Sequence, residues 1–307
     1  MCMRVGLFGR SGGTTVGQAV EEAQAAAADG FGAFWYPQVA GLDALTTLAV
    51  IAREVPDLHL GTSVVPIQGR HPLPLALQAL TVADAAGPGR FTLGIGVTHA
   101  MVSEGWFGVP YRGIVDVCAE TLTALGGLLS PERRADLDGA HLSVHAAVPL
   151  GVAPPGLVLA ALAPRMVELA GHSADGTVTW MTGPKALAER ITPRLRAAAQ
   201  DAGRPDPRII VGAQICVTDD VAAAREHLRP QMERSSMMPS YHRQMHDEGF
   251  TDPVDLAVVG DASVVTQRLR DFETAGMTEL CADVVGSAAD QRRTRDFLGN
   301  FAAGRNA

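Results

Sequence analysis

The chain has 307 residues, 47% of them hydrophobic and 19% charged, with a formal net charge of −8 from 25 basic and 33 acidic side chains. That apolar content excludes a disordered chain, and 33 glycines without a period exclude a collagen-like one. The acidic balance argues against nucleic acid or an anionic membrane as partner, since both need basic surface.

In chain order, short β-rich runs alternate with Ala-rich helical patterns. A strand is predicted over 3–8, then a turn at Gly9, Gly12 and Gly13, and then a helix over 15–29. That helix carries Val16, Ala19, Val20, Ala23 and Ala27 on one face and stops at Gly30. A strand over 33–36, a helix over 42–54, a strand over 58–65 and a helix over 73–86 follow. Next come a strand over 91–95 and a helix over 115–129. The stretch 130–156, with its Pro and Gly residues, breaks the rhythm and reads as a small hairpin. The alternation resumes with strands over 157–161, 176–179 and 209–217 and helices over 165–171, 185–201 and 219–228. A polar insertion at 235–255 precedes a helix over 263–275, a strand over 279–284 and a last helix over 288–301.

Eight strands with helices between them predict a parallel sheet closed into a (β/α)8 TIM barrel. It is read as one domain over 1–307, with insertions after strand four and strand seven. A doubly wound open sheet is the rival architecture. The N-terminal apolar run is too short for a signal peptide, and 157–163 is far short of a span of about 20 residues. Cys2, Cys118, Cys216 and Cys281 are widely spaced with no CxxC pair, which reads as buried thiols in a reducing compartment. A soluble cytoplasmic protein is the expectation.

Few motifs carry chemistry alone. Gly94–Ile95–Gly96–Val97–Thr98–His99 starts like a dinucleotide fingerprint but has His in the sixth position and no acidic residue about 20 residues on. The other reading is that Gly94 and Gly96 let a flat ring approach the mouth of strand four. His242 and His246 could share a helix face, but no third metal ligand is evident, and solvated surface is favoured. His141 and His145 do not pair as ligands. Ser63, Ser103 and Ser143 lack a GxSxG elbow. Ala161–Leu162–Ala163–Pro164–Arg165 joins a strand to a helix start, which offers free N–H groups and positive dipole to a phosphate, with Arg165 able to add a charged contact.

Together these segments resemble the luciferase-like monooxygenase superfamily. The resemblance rests on Leu60–Gly61–Thr62–Ser63–Val64–Val65–Pro66 with Arg70–His71–Pro72, and on Gly89–Arg90–Phe91–Thr92–Leu93–Gly94–Ile95–Gly96. It continues through Ala160–Ala161–Leu162–Ala163–Pro164–Arg165–Met166, Leu169–Ala170–Gly171, Ala174–Asp175–Gly176 and Trp180–Met181–Thr182–Gly183–Pro184, and reaches Gly276. Trp35–Tyr36–Pro37–Gln38 is similar to the actinobacterial branch that uses the deazaflavin coenzyme F420.

The resemblance implies a cofactor lying across the carboxyl ends of the strands, F420 with FMN as the alternative. It implies a cis Ser63–Val64 peptide bulging against the ring. The cofactor-binding set it implies is Gln38, Thr62, Ser63, Val64, Gly96, Val97, Thr98, His99, Ala161, Leu162, Ala163, Pro164, Arg165, Trp180 and Met181. Sugar-phosphate dehydrogenases of the superfamily carry Asp-His after strand two; here Gln38 and Val39 stand there, so an alcohol oxidation needing that base is not supported. The family Glu after strand four is His99, whose ordinary pKa near 6.5 suits proton donation. His99 and Gln38 are the expected catalytic side chains, with Phe8, Trp35, Trp106 and Tyr111 as walls of the substrate pocket.

The expected activity is an F420H2-dependent reduction of an activated C=C or C=N bond in a small-molecule or peptide-derived substrate. An FMN-dependent monooxygenase and a non-catalytic ligand-binding member are the alternatives. Neither a metal nor nucleic acid is expected. A homodimer is, since Ala-rich helices such as 73–86 can pack closely.

Overall fold

A computed structural model describes residues 3–12, 15–38 and 40–304. Cys2 and Val39 lie outside the described residues. Among those described, eight parallel strands close on themselves: β1 (Arg4–Phe8), β2 (Ala33–Tyr36), β3 (His59–Thr62), β4 (Phe91–Gly96), β5 (Gly156–Ala160), β6 (Gly176–Trp180), β7 (Arg208–Val217) and β8 (Glu279–Val284). Each pairs with the next, and β8 returns to β1 with Arg4 opposite Glu279 and Leu7 opposite Ala282. The fold is the (β/α)8 TIM barrel that the spacing predicts, and the open sheet is excluded by closure.

Local chemistry sets the helix ends. The helix Val16–Ala28 opens with a capping box, in which the Thr15 hydroxyl accepts the Gln18 N–H and the Gln18 side chain accepts the Thr15 N–H. The helix Ala44–Glu54 opens on Asp43, which accepts the Thr46 N–H at 2.8 Å. Where a single helix is expected over 185–201, a π-helical stretch Leu187–Ile191 precedes Thr192–Asp201. Pro193 has no N–H to continue the α ladder, so the chain resets there.

The insertion after β4 contains the expected hairpin, Arg134–Asp138 antiparallel to Ser143–Ala147. The insertion after β7 is more ordered than its polar sequence implies. The helix predicted to stop at residue 228 runs as Val221–Ser236 through Pro230, a second helix follows over Pro239–Glu248, and a short strand Val258–Gly260 adds to the end of β7. The strand expected over 58–65 is split, because the Ser63–Val64 peptide is cis and only Val65–Pro66 resumes pairing, against Ile95 and Gly96.

Two layers of core hold the barrel. The outer one lies between helices and sheet; the inner one contains Ala33, Trp35, Val158, Val178, Ile210 and Cys281. Trp35 fills the barrel axis because β3 gives way to it: a Cβ on Gly61 would lie 2.2 Å from the indole. Its Nε1–H donates to Glu279 Oε1 at 3.0 Å, and Arg208 pairs with the same carboxylate at 2.9 Å. This polar plug closes the amino end of the barrel, the end that on this fold serves stability. Cys118, Cys216 and Cys281 are free and buried. Burial pushes the first two thiols up to about 12 and about 11.

Candidate active site

At the opposite end, the carboxyl ends of the strands surround a cavity of about 610 Å³. That size suits a small-molecule or cofactor site, which on this fold sits at this face. Its floor is shaped after β3. The Thr62 hydroxyl accepts the Gly94 N–H at 2.8 Å and donates to the Gly94 carbonyl at 2.7 Å, which locks β3 to β4. The chain then turns through the cis bond and presents Ser63 and Val64 to the cavity.

This bulge explains two glycines. A Cβ on Gly94 would lie 2.0 Å from the Thr62 carbonyl oxygen, and one on Gly96 would lie 2.8 Å from a Val64 methyl and 3.0 Å from the Ala160 Cβ. They are small to admit the protein's own bulge rather than a flat ring, which corrects the sequence expectation.

Beyond β4, Val97, Thr98 and His99 line the cavity. The loop is held from behind by buried Gln68, whose Oε1 accepts the Thr98 N–H at 3.1 Å. His99 meets Tyr241 edge-on, with ring centroids 5.7 Å apart. Burial lowers the His99 pKa below its ordinary value, so the ring is neutral at pH 7. That counts against the imidazolium donor suggested by its unperturbed pKa.

Ala161, Leu162 and Ala163 form another wall and lead into the helix Pro164–Ser173. This helix has no side-chain cap, so N–H groups of its first turn are left without a side-chain acceptor. Trp180 lines the cavity beside Phe8, their ring centroids 4.9 Å apart. Tyr111 lines it as expected.

The remaining expected residues lie elsewhere, each for a physical reason. Gln38 points away: its Oε1 accepts the Ala44 N–H at 2.6 Å at the start of the next helix. Thr62 is fully buried and committed to Gly94, and Gly96 lies beneath Val64. Trp35 is 0% exposed in the barrel axis below the cavity, and Trp106 is 61% exposed after the short helix Ala100–Gly105. Met181, with φ of 52°, packs under the insertion with Leu228 and Met232. Pro164 occupies the first helical turn without lining the cavity. Arg165 is 72% exposed and lies 3.7 Å from Asp116 rather than in the wall.

Residues that sequence reading missed complete the site. Gln231, Ser240 and Tyr241 come from the insertion after β7 and roof the cavity. Glu248 fastens that roof by accepting the Ala186 N–H at 2.6 Å and the Lys185 N–H at 3.3 Å, and Asp247 pairs with Arg190. Asp283, near the end of β8, also lines the cavity. Burial pushes its carboxyl up to about 6, against the partial opposing effect of Arg10. Its signal was present in Glu279–Leu280–Cys281–Ala282–Asp283, where period-two alternation puts an acid on the inward face of an apolar strand.

A closed (β/α)8 barrel with its cavity at the carboxyl ends of the strands, floored by a bulge after β3 and roofed by an insertion after β7, defines the class. Residues 3–279 match the luciferase-like monooxygenase family, and the chain belongs to that family of oxidoreductases. It is 26% identical over 321 aligned positions to a protein of Mycobacterium tuberculosis named as a coenzyme F420-dependent oxidoreductase, covering 89% of this chain and 92% of the relative. It is 25% identical to a 5,10-methylenetetrahydromethanopterin reductase of Methanolobus tindarius, covering 84% and 82% of the two chains. In fold it is similar to an F420-dependent secondary alcohol dehydrogenase solved with an F420–acetone adduct, with a TM-score of 0.84 and 18% identity over 100% of both chains. Among the described residues no helix is long and apolar enough to cross a membrane, and no group of His, Cys, Asp and Glu is arranged to hold a metal.

Proposed function

We propose that the protein is an F420H2-dependent reductase that transfers a hydride to an activated C=C or C=N bond of a small molecule. The observation that carries this reading is the cavity itself, whose walls combine an apolar slot over the Val64 bulge with an uncapped helix start at Ala163. Those parts fit the cofactor. A flat ring suits the slot, and a negatively charged tail suits main-chain N–H groups at a helix N-terminus. Arg165, exposed one residue into the same helix, is the nearest cation by sequence for that tail.

When bound, the reduced deazaflavin supplies a hydride and, with carbon replacing the flavin N5, reacts poorly with O2. The chain supplies the remainder. Ser63, Val64, Val97, Thr98, Ala161 to Ala163 and Trp180 position the ring and exclude water, and Phe8 and Tyr111 shape the acceptor's space. His99, neutral at pH 7, offers a hydrogen bond rather than a proton. After β2, Gln38 stands where the sugar-phosphate dehydrogenases carry the first residue of their Asp-His pair, and it is spent on the Ala44 N–H. Reduction of an acceptor needs no base there, whereas oxidation of an alcohol does.

The test is oxidation of chemically reduced F420, followed optically, with an activated enone, a cyclic imine and a dehydroamino acid as acceptors. Turnover with any of the three supports the reading. Binding of reduced F420 without turnover on all three, alongside oxygen-dependent turnover with reduced FMN, overturns it. We place a two-fold homodimer with this function. Its support is the apolar surface left by Val50 and Leu77 on the helices Ala44–Glu54 and Pro72–Ala86, which pack side by side. Sedimentation at twice the 32.1 kDa chain mass is the expected result.

A further inference from the structure

Resting on the reductase reading, we propose that Asp283 is the acid that meets the acceptor, and that the acceptor is a cyclic imine whose basic nitrogen this carboxyl protonates and then pairs with. Four observations lead there.

The first is position. Glu279, Cys281 and Asp283 alternate along β8 on the inward face of the barrel. Glu279 holds the Trp35 indole, Cys281 sits in the inner core, and Asp283 comes last, at the cavity wall. The second is company. Among the described residues that line the cavity there is one carboxyl group and no lysine or arginine, so an anionic acceptor would find no cation within the walls.

The third is how the side chain is held. Gln214, 2% exposed, stands directly opposite Asp283 on the neighbouring β7, and its side-chain amide pulls the carboxyl's pKa down. From the β1 end, Arg10 faces it, already engaged with Glu22 of the helix Val16–Ala28 and with Gln291. These are the charged and hydrogen-bonding groups that set its ionisation. Arg10 and the Gln214 amide favour the carboxylate, while burial and Glu22 favour the acid. The fourth is the balance they reach: a carboxyl titrating near 6, poised to give up a proton near neutrality.

Burial makes this acid costly to ionise and Arg10, shared with Glu22 and Gln291, offsets only part of that cost, so a ligand that brings positive charge is favoured. An imine nitrogen does so. The proton leaves the Asp283 carboxyl for the C=N nitrogen, giving an iminium paired with the new carboxylate. The carbon then takes a hydride from the reduced deazaflavin, and the π pair settles on nitrogen. The product is the amine, the hydride donor is left oxidised by two electrons, and Asp283 regains its proton from water. An enone carbonyl is too weakly basic to be protonated by a carboxyl before reduction, and so it gains less from this acid.

The experiment uses the full chain and its Asp283→Asn variant. Melting temperatures come first. Ionisation of Asp283 opposes folding as pH rises from the ordinary carboxylate range through 6, so the Asn variant should melt higher than wild type at pH 8 and level with it at pH 4. Then 1,2,3,4-tetrahydroisoquinoline, a cationic amine at pH 8, should raise the wild-type melting temperature and leave the variant's unchanged, while neutral 2-cyclohexenone should treat both alike. With reduced F420 and 3,4-dihydroisoquinoline, the variant should lose about 10²–10⁴-fold in kcat at unchanged F420 affinity. An Asn variant no more stable at pH 8, an amine that stabilises neither protein or both equally, or full turnover in the variant overturns the inference. F420 binding by both proteins with imine turnover in neither sinks the imine acceptor and leaves the cofactor reading intact. Absence of F420 binding in both sinks the parent reading instead, and the melting arms still decide the role of Asp283.

Discussion

Two side chains that sequence reading ranked alike, His99 and Gln38, separate once placed. His99 lines the cavity against Tyr241, and Gln38 spends its carbonyl on the Ala44 amide. A hydrogen-bonding role for His99 predicts that His99→Ala weakens F420 binding by about 0.5–1.5 kcal/mol while turnover at saturation survives. Fluorescence titration paired with kcat measures both. A 10²-fold fall in kcat at unchanged affinity would instead make His99 the proton donor. The residue scale is also where sequence was least legible. The cavity-lining residues Ser63, Val64 and Ala161 to Ala163 were legible because a family pattern marks them. Trp35 was misplaced because an aromatic near a strand end gives no sign of depth. Only the clearance at Gly61, which the indole fills, shows that it belongs to the axis. Gly94 and Gly96 carried a true signal of close approach, but the approaching group was the chain's own bulge.

At the scale of elements, periodicity was a dependable guide wherever burial was one-sided. Strands 33–36 and 279–284 fall on the predicted bounds, and most helices start within two residues of theirs. It failed in the insertion after β7, where helix Pro239–Glu248 is polar on most faces, buries Gln244 and sets Tyr241 and Met245 against the apolar cluster of Met181, Leu228 and Met232. Contacts at its end add to that packing, through Glu248 and the Arg190–Asp247 pair. Glu248 acts as a borrowed cap for the helical turn that starts at Pro184. Glu248→Ala should therefore cost about 1 kcal/mol of stability, as lost caps do. It should cost more in function, since Ser240 and Tyr241 ride on the same helix. The expected signature is faster amide exchange across residues 237–248 and weaker substrate binding, with the barrel's protection unchanged. Unchanged exchange there would show that the roof is fastened by other means.

For the whole molecule, the barrel divides its two ends between stability and chemistry. The amino end is closed by Glu279, Arg208, Trp35, Thr92 and His59, with His59 Nε2 at 2.9 Å from the Thr92 hydroxyl. Burial, aided by Arg4 and Arg208, drives the His59 pKa down to about 3. The unfolded chain binds a proton at His59 below about 6.5 while the folded chain refuses it until about 3. Stability is thus complete above the unfolded value and is lost as pH falls, by about 1.4 kcal/mol per unit across that window. His59→Gln should flatten this slope, read as the wild-type minus variant difference in urea midpoint between pH 7 and pH 4; a difference that stays constant would remove His59 from the acid response. The carboxyl end holds the site, and the central claim there is cofactor identity. Titration of the purified full chain with F420 and, separately, with FMN, each followed by fluorescence, tests it most directly. The account predicts saturable micromolar binding of F420 and far weaker binding of FMN, and micromolar binding of FMN with no binding of F420 would contradict it.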